Sequence, residues 1–338
     1  MQYSAEFVQH ANRIGLPGVV VEWVPLDGGM QAVNVLKVSN LMSLNQLIAL
    51  WRHFIGGRTF FRGQRNLYQK VPISGKERID ACIDRESRLK PTSETSLEMF
   101  FQFPGFGEMK TFEGRNSGDF VWKQFKKWET ETEPCTGFSR QGSVVPAYAL
   151  EGICQHYLGG TTWLDVVDNP LVALWMSTRK YSSPELDMQG PVIRVEPIEG
   201  AQSEGVFLYL YGQSDFKRVH TGLYESEDSY LLDLREMLAA EYLRPHAQGG
   251  MLLKDKKVYE RFEKPTEVVA IQLDPDLALA AVGNSQLLNV KSLFPSAGND
   301  VGFSMLRGLF NLHWQMGIAD SEEQRKHYAK FFPPAYVK

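Results

Sequence analysis

Cysteine is scarce in this 338-residue chain: Cys82, Cys135 and Cys154 are the three it has. They lie far apart, none at the spacing of a metal-binding pair, and an odd number does not make a disulfide framework. Three reduced thiols in a reducing compartment are expected. No run of about 18 apolar residues occurs, so no membrane-spanning helix is expected. The opening "MQYSAEFVQHANRIG" lacks a basic stretch leading into an apolar one, which argues against a secretory signal. The expected setting is cytoplasmic.

Basic charge is not in surplus either. Lys+Arg number 36 against 40 Asp+Glu, a formal net charge of −4 with a pI near 6.0. A dominant nucleic-acid surface normally shows as basic excess, so any contact with nucleic acid must be local. The patches "KQFKKW" and "KDKK" are candidates for it, or ordinary solvated faces. Repeats and low-complexity stretches are missing. The glycine-rich "GGRTFFRG", "GRNSG" and "HAQGG" match neither a P-loop nor a dinucleotide fingerprint. Seven histidines show no ligand spacing, so no metal site is expected.

What is present is enough apolar residue, 43% of the chain, for one large domain or two ordinary ones. "GVVVEWVP" reads as a strand. "SLNQLIALWRHF" reads as a helix with Ser43 as N-cap, stopped by Gly56 and Gly57, and "RTFFR" follows as a strand. Residues 64–92 are loop-like. "ETSLEMFFQF", "DFVWKQFKKWE" and "AYALEGICQHY" read as helices, and "TTWLDVV" as a strand. Asp168-Asn169-Pro170 opens the helix "PLVALWMSTRKY". Then come strands "GPVIRVEP" and "GVFLYLYG", a helix "SYLLDLREMLAAEYL", and strands "GGMLLK" and "EVVAIQL". Helices dominate the first half and strands the second, an α+β pattern.

Four blocks stand out: "FFRGQ" (60–64), "QHYLGGTTWLDVVDNPLVALWMS" (155–177), "LRPHAQGGML" (243–252) and "LFP" (293–295). In this order and spacing they resemble the FRG domain family, named for its Phe-Arg-Gly signature, over roughly residues 45–310. Two departures are evident. Gly159 and Gly160 stand where the family has one glycine and a proline, and Trp163 replaces a basic residue after Thr162. The resemblance divides the chain into an N-terminal extension (1–44), the FRG domain (45–310) and a helical tail (311–338). The family in turn looks like a branch of the ADP-ribosyltransferase fold, a split, mainly antiparallel sheet with NAD⁺ in its cleft, here with a helical N-terminal half. It implies a toxin-like effector of bacterial anti-phage or toxin–antitoxin systems that transfers ADP-ribose to a macromolecule. RNA is favoured over protein as acceptor, and an antitoxin or chaperone partner would restrain it. The alternatives are an NAD⁺ glycohydrolase and a non-catalytic module that binds a nucleotide or a protein.

The resemblance assigns catalysis to Arg62, Asp165 and Gln248, and NAD⁺ binding to Arg62, Gly63, Gln64, His156, Tyr157 and Thr162. Each residue also has a plainer reading. Guanidinium is planar, permanently charged and suited to phosphate, but Arg62 would equally satisfy carbonyls or an acid at a seam. Gly63 would let a ligand approach the backbone. Asp165 would stabilise a cationic ribose, cap a helix, or pair with Arg62. His156 offers acid–base chemistry or a bond to a carbonyl, and Tyr157 a flat face. Thr161 and Thr162 supply hydroxyls or simply suit a strand. Gln248 would stand where related enzymes place glutamate on a late strand, though an amide is no base; Glu241 is a substitute, or a solvated helix face.

Overall fold

The computed structural model describes residues 2–25, 32–65, 152, 156–157, 163–182, 185–187, 190–198, 205–227, 229–238, 240, 242–255, 267–283, 285, 287–304 and 335–337. The expected helices at 94–103 and 119–129 lie outside this set, as do residues 147–151 and 153–155 of the one expected at 147–157.

Among the described residues a large sheet organises the molecule. It is built from β1 (Gln2–Tyr3), β2 (Val19–Pro25), β3 (Ala32–Val38), β4 (Arg58–Gln64), β5 (Leu164–Val167), β9 (Val206–Gln213), β10 (Lys217–His220), β11 (Leu223–Glu225), β12 (Ser229–Asp233), β13 (Gly250–Asp255) and β14 (Glu267–Leu273). Its order is β10-β11-β12-β13-β5-β4-β9-β14-β3-β2, with β1 also on β14. β14 pairs in parallel with β1 and β3; every other pairing is antiparallel. A smaller sheet joins β6 (Arg179–Tyr181), β7 (Glu185–Asp187) and β15 (Ala335–Val337) to β8 (Gly190–Pro197). The chain is α+β with a mainly antiparallel sheet, as expected. Up to Gln64 four strands accompany two helices, and the helices expected to dominate the rest of the first half fall outside the described residues.

Those helices are α1 (Ala5–Ile14) and α2 (Leu41–Ile55); α3 (Pro170–Ser177), α4 (Leu234–Met237), α5 (Leu243–Gln248), α6 (Pro275–Val282) and α7 (Val290–Leu293) complete the set. The buried stripe Leu44, Leu47, Ile48 and Trp51 seats α2 on the sheet. Trp51 stacks edge-on against Phe7 of α1 at 5.0 Å and donates its indole N–H to the Tyr211 carbonyl. α1, α2, α3 and α6 share one core with that face of the sheet. Phe60, Leu164, Val166, Tyr209, Tyr211 and Leu231 belong to a second core cluster. Because β9 is buried from Val206 to Gly212, it reads as one apolar run rather than an alternation. No helix among the described residues is long and apolar enough to cross a membrane.

Three boundaries differ from expectation. Asn40, not Ser43, caps α2: its side chain accepts from the Ser43 N–H, while the Ser43 hydroxyl donates to the Pro17 carbonyl. α3 ends at Ser177, and Arg179–Tyr181 pairs with Val195–Pro197 instead of continuing the helix. Ser229–Asp233 is a strand, paired with Met251–Asp255 and Leu223–Glu225. "LLDL" fits either period, so the two neighbouring strands decide the matter.

Candidate functional site

The main sheet parts in its middle. β4 is fully laddered to β9, Arg58–Gln64 opposite Gln213–Phe207, and β5 is paired with β13 over four residues. Between β4 and β5 only Phe61 and Val167 face each other in register. Just past that pair the Arg62 side chain takes over the connection. Its Nη1 donates to the Asp165 carbonyl at 2.7 Å and stands 3.8 Å from carboxylate Oδ2. The two side chains are 16% and 32% exposed, so solvent reaches both. A half-exposed carboxylate in an otherwise apolar strand is costly unless partnered, and Arg62 supplies that partner.

His156 closes the group from behind. Its Nε2 lies 4.0 Å from Asp165 Oδ1, and its side chain is 5% exposed. That nitrogen is buried and makes no hydrogen bond among the described residues. Burial pushes the ring below the usual imidazole range, the Asp165 charge pulls it back up, and Arg244 again lowers it. Gln248 is a further polar neighbour of the ring, favouring its protonated form. A side-chain carbon at Gly250 would stand 2.6 Å from His156 Cε1, so the second glycine of "QGG" makes room for the imidazole. The first, Gly249, ends α5 in the left-handed region at φ 65°, which other residues rarely adopt.

Arg62, Asp165, His156 and Gln248 therefore form one connected group. Gln248, however, sits on the last turn of α5 and not on a strand, and its amide Nε2 donates to the Leu293 carbonyl at 2.7 Å. Gln64 ends β4, half-buried, on the same side of the Phe61–Val167 pair as Arg62. Gly63 has a different reason from the one expected. A Cβ there would lie 1.7 Å from the Ala173 carbonyl oxygen, so glycine is needed for α3 to pack on β4. Tyr157 is also not a ligand platform: it is 1% exposed, and its hydroxyl donates to Asp300 Oδ2 at 2.6 Å. Burial and the Asp300 carboxylate both hold that phenol protonated. Thr161, Thr162 and Glu241 lie outside the described residues.

Sequence reasoning missed the support behind this group. Arg244 is 1% exposed, donates from Nη1 to the His156 carbonyl at 3.1 Å, and lies 4.7 Å over the rings of both Tyr157 and Phe303. Asp300, fully buried, accepts from the Arg244 and Phe303 backbone N–H groups as well as from Tyr157. A second network joins Arg235 to Asp233 and to Asp168. Arg244 falls inside the block "LRPHAQGGML", which was the available signal; Asp300 had none.

No protein-family model, curated protein or solved structure matches the chain. Among the described residues no group of His, Cys, Asp and Glu is arranged to hold a metal ion.

Proposed function

We propose that the chain is an NAD⁺-dependent ADP-ribosyltransferase, a toxin-like effector that modifies a macromolecule, with RNA favoured over protein as acceptor. The observation that carries this reading is the parting between β4 and β5, bordered by one guanidinium, one part-exposed carboxylate and one buried imidazole. These groups fit the dinucleotide. Its pyrophosphate needs a planar cation, and Arg62 is one. The bond from nicotinamide to ribose breaks with positive charge growing on the sugar, as in glycoside cleavage. Asp165 is the carboxylate placed to oppose that charge.

His156 acts as a positioning residue. Lying on the buried side of Asp165, it restricts where the carboxylate can swing, while Gln248 neighbours its ring and Arg244 holds its backbone carbonyl. Gln248 contributes an amide and no base. Activation of the acceptor is then a matter of holding it in line, which suits an RNA hydroxyl or base amine. An antitoxin or chaperone would restrain such an effector. The test is incubation with labelled NAD⁺ and separate RNA, DNA and protein pools. Label in RNA is the expected result. Free ADP-ribose with no labelled polymer would make water the acceptor, and no reaction with any pool would end the proposal.

A further inference from the structure

The main sheet ends at β2, which pairs on one side only, with β3 along its whole length from Val19 to Pro25. The ladder fixes which backbone groups face outward. The Ser39 N–H donates to the Gly18 carbonyl, one step beyond the Val19–Val38 pair. Antiparallel strands alternate, so Gly18, Val20 and Glu22 turn their peptide groups towards β3, and Val19, Val21, Trp23 and Pro25 turn theirs away. Two features bound the usable stretch. The Val19 N–H is already taken by the Leu16 carbonyl, and Pro25 has no N–H to give. What remains is the Val19 carbonyl and both groups of Val21 and of Trp23. Between Val19 and Trp23 the strand has no lysine, proline or bulge, the usual ways of blunting an edge. Its side chains are open to solvent, Val20 at 62% and Trp23 at 68%. Its one charge, Glu22, is paired with Lys37 of β3 at 2.6 Å and needs nothing from a partner.

We infer that β2 is a dimerisation edge, on which β2 of a second copy lies antiparallel with the two-fold axis at Val21. In that register the stretch is its own complement. Val21 exchanges two hydrogen bonds with the partner's Val21, and each Trp23 N–H donates to the partner's Val19 carbonyl. Each Trp23 then lies beside the partner's Val19 on one face of the sheet, and each Val20 beside the partner's Glu22 on the other. An axis at Glu22 instead would set two carboxylates opposite each other, which is unfavourable. An unrelated strand would have no use for this symmetry about Val21. β9, β14 and β3 lie between β2 and the opening beside β4, so the dimer and the transferase reading can fail separately.

The test is sedimentation equilibrium of the full chain over a range of concentrations. A mass rising from 38.4 kDa towards twice that value is expected. Trp23→Lys places a charge on the exposed edge without touching the core, and should weaken dimerisation at least about tenfold. Register is read by cross-linking. With the axis at Val21, positions 20 and 22 of the two copies face each other in a non-hydrogen-bonded pair, about 4.5 Å apart at Cα, within disulfide reach. A mixture of Val20→Cys and Glu22→Cys chains should therefore form disulfide-linked dimers several-fold faster than either variant alone. Three results would overturn the inference: a wild-type chain that stays monomeric to about 100 μM, a dimer that folded Trp23→Lys leaves unchanged, or a mixture that cross-links no better than its components. The first would leave the edge to a strand of another protein.

Discussion

Arg62 and Asp165 touch across the break in the sheet, and each limits what the other can do. The carbonyl of Asp165 holds the guanidinium in place, so replacing only the carboxylate leaves that bond intact. Asp165→Asn should therefore melt within a few degrees of the wild type yet lose about a hundredfold in turnover, if the carboxylate opposes developing positive charge. Thermal melting and nicotinamide release, measured on one preparation, separate the two effects; unfolding would make Asp165 a structural acid. The contact between these residues was one of the alternatives open in the sequence, because a carboxylate in an apolar stretch needs a partner. The reason for Gly63 was not. Its Cβ would collide with the Ala173 carbonyl, a backbone atom of α3 that no local pattern places there. Gly63→Ala should cost at least about 1–3 kcal/mol, as overpacking does, and appear as a clear drop in melting temperature. An unchanged melt would show that α3 can move away.

Elements were legible where one local signal prevailed. "EVVAIQL" and "GPVIRVEP" are strands with the boundaries read from sequence, and Gly56 stops α2 in the left-handed region at φ 62°. The start of α3 was equally plain: Asn169 accepts from the Leu171 N–H and Pro170 opens the first turn. Asn169→Ala should lower stability by about 1 kcal/mol, readable in urea unfolding; no shift would mean another group satisfies the helix end. Where two periods coexist, the local signal failed. "SYLLDLREM" carries leucines at helical and strand spacing, and its pairing with β11 and β13 settles the first five residues as strand. Likewise "STRKY" leaves α3 because β8 offers Arg179–Tyr181 an edge to pair with.

The order of the whole sheet was out of reach. β4 lies beside β9, some 140 residues later, and β14 lies between β9 and β3; composition does not encode such pairings. The same long-range assembly buries His156 and makes its titration a property of the fold. Its folded pKa lies below the ordinary value of 6.5, so the unfolded chain binds its proton first as pH falls. The contribution of His156 is thus intact above about pH 6.5 and lost as pH drops below it. Melting temperature from pH 7.5 to 5.5 should fall more steeply in the wild type than in His156→Asn. Parallel profiles would mean that the ring titrates normally.

If NAD⁺ sits where β4 and β5 share only the Phe61–Val167 pair, nicotinamide release depends on Arg62. Followed over time with NAD⁺ and total RNA, the wild-type chain should release nicotinamide. Arg62→Ala should do so about a hundredfold more slowly, as losing a charge-assisted contact of about 3 kcal/mol requires, and Arg62→Lys should recover little of it. Release by folded Arg62→Ala at the wild-type rate, or none from the wild type, would contradict the account.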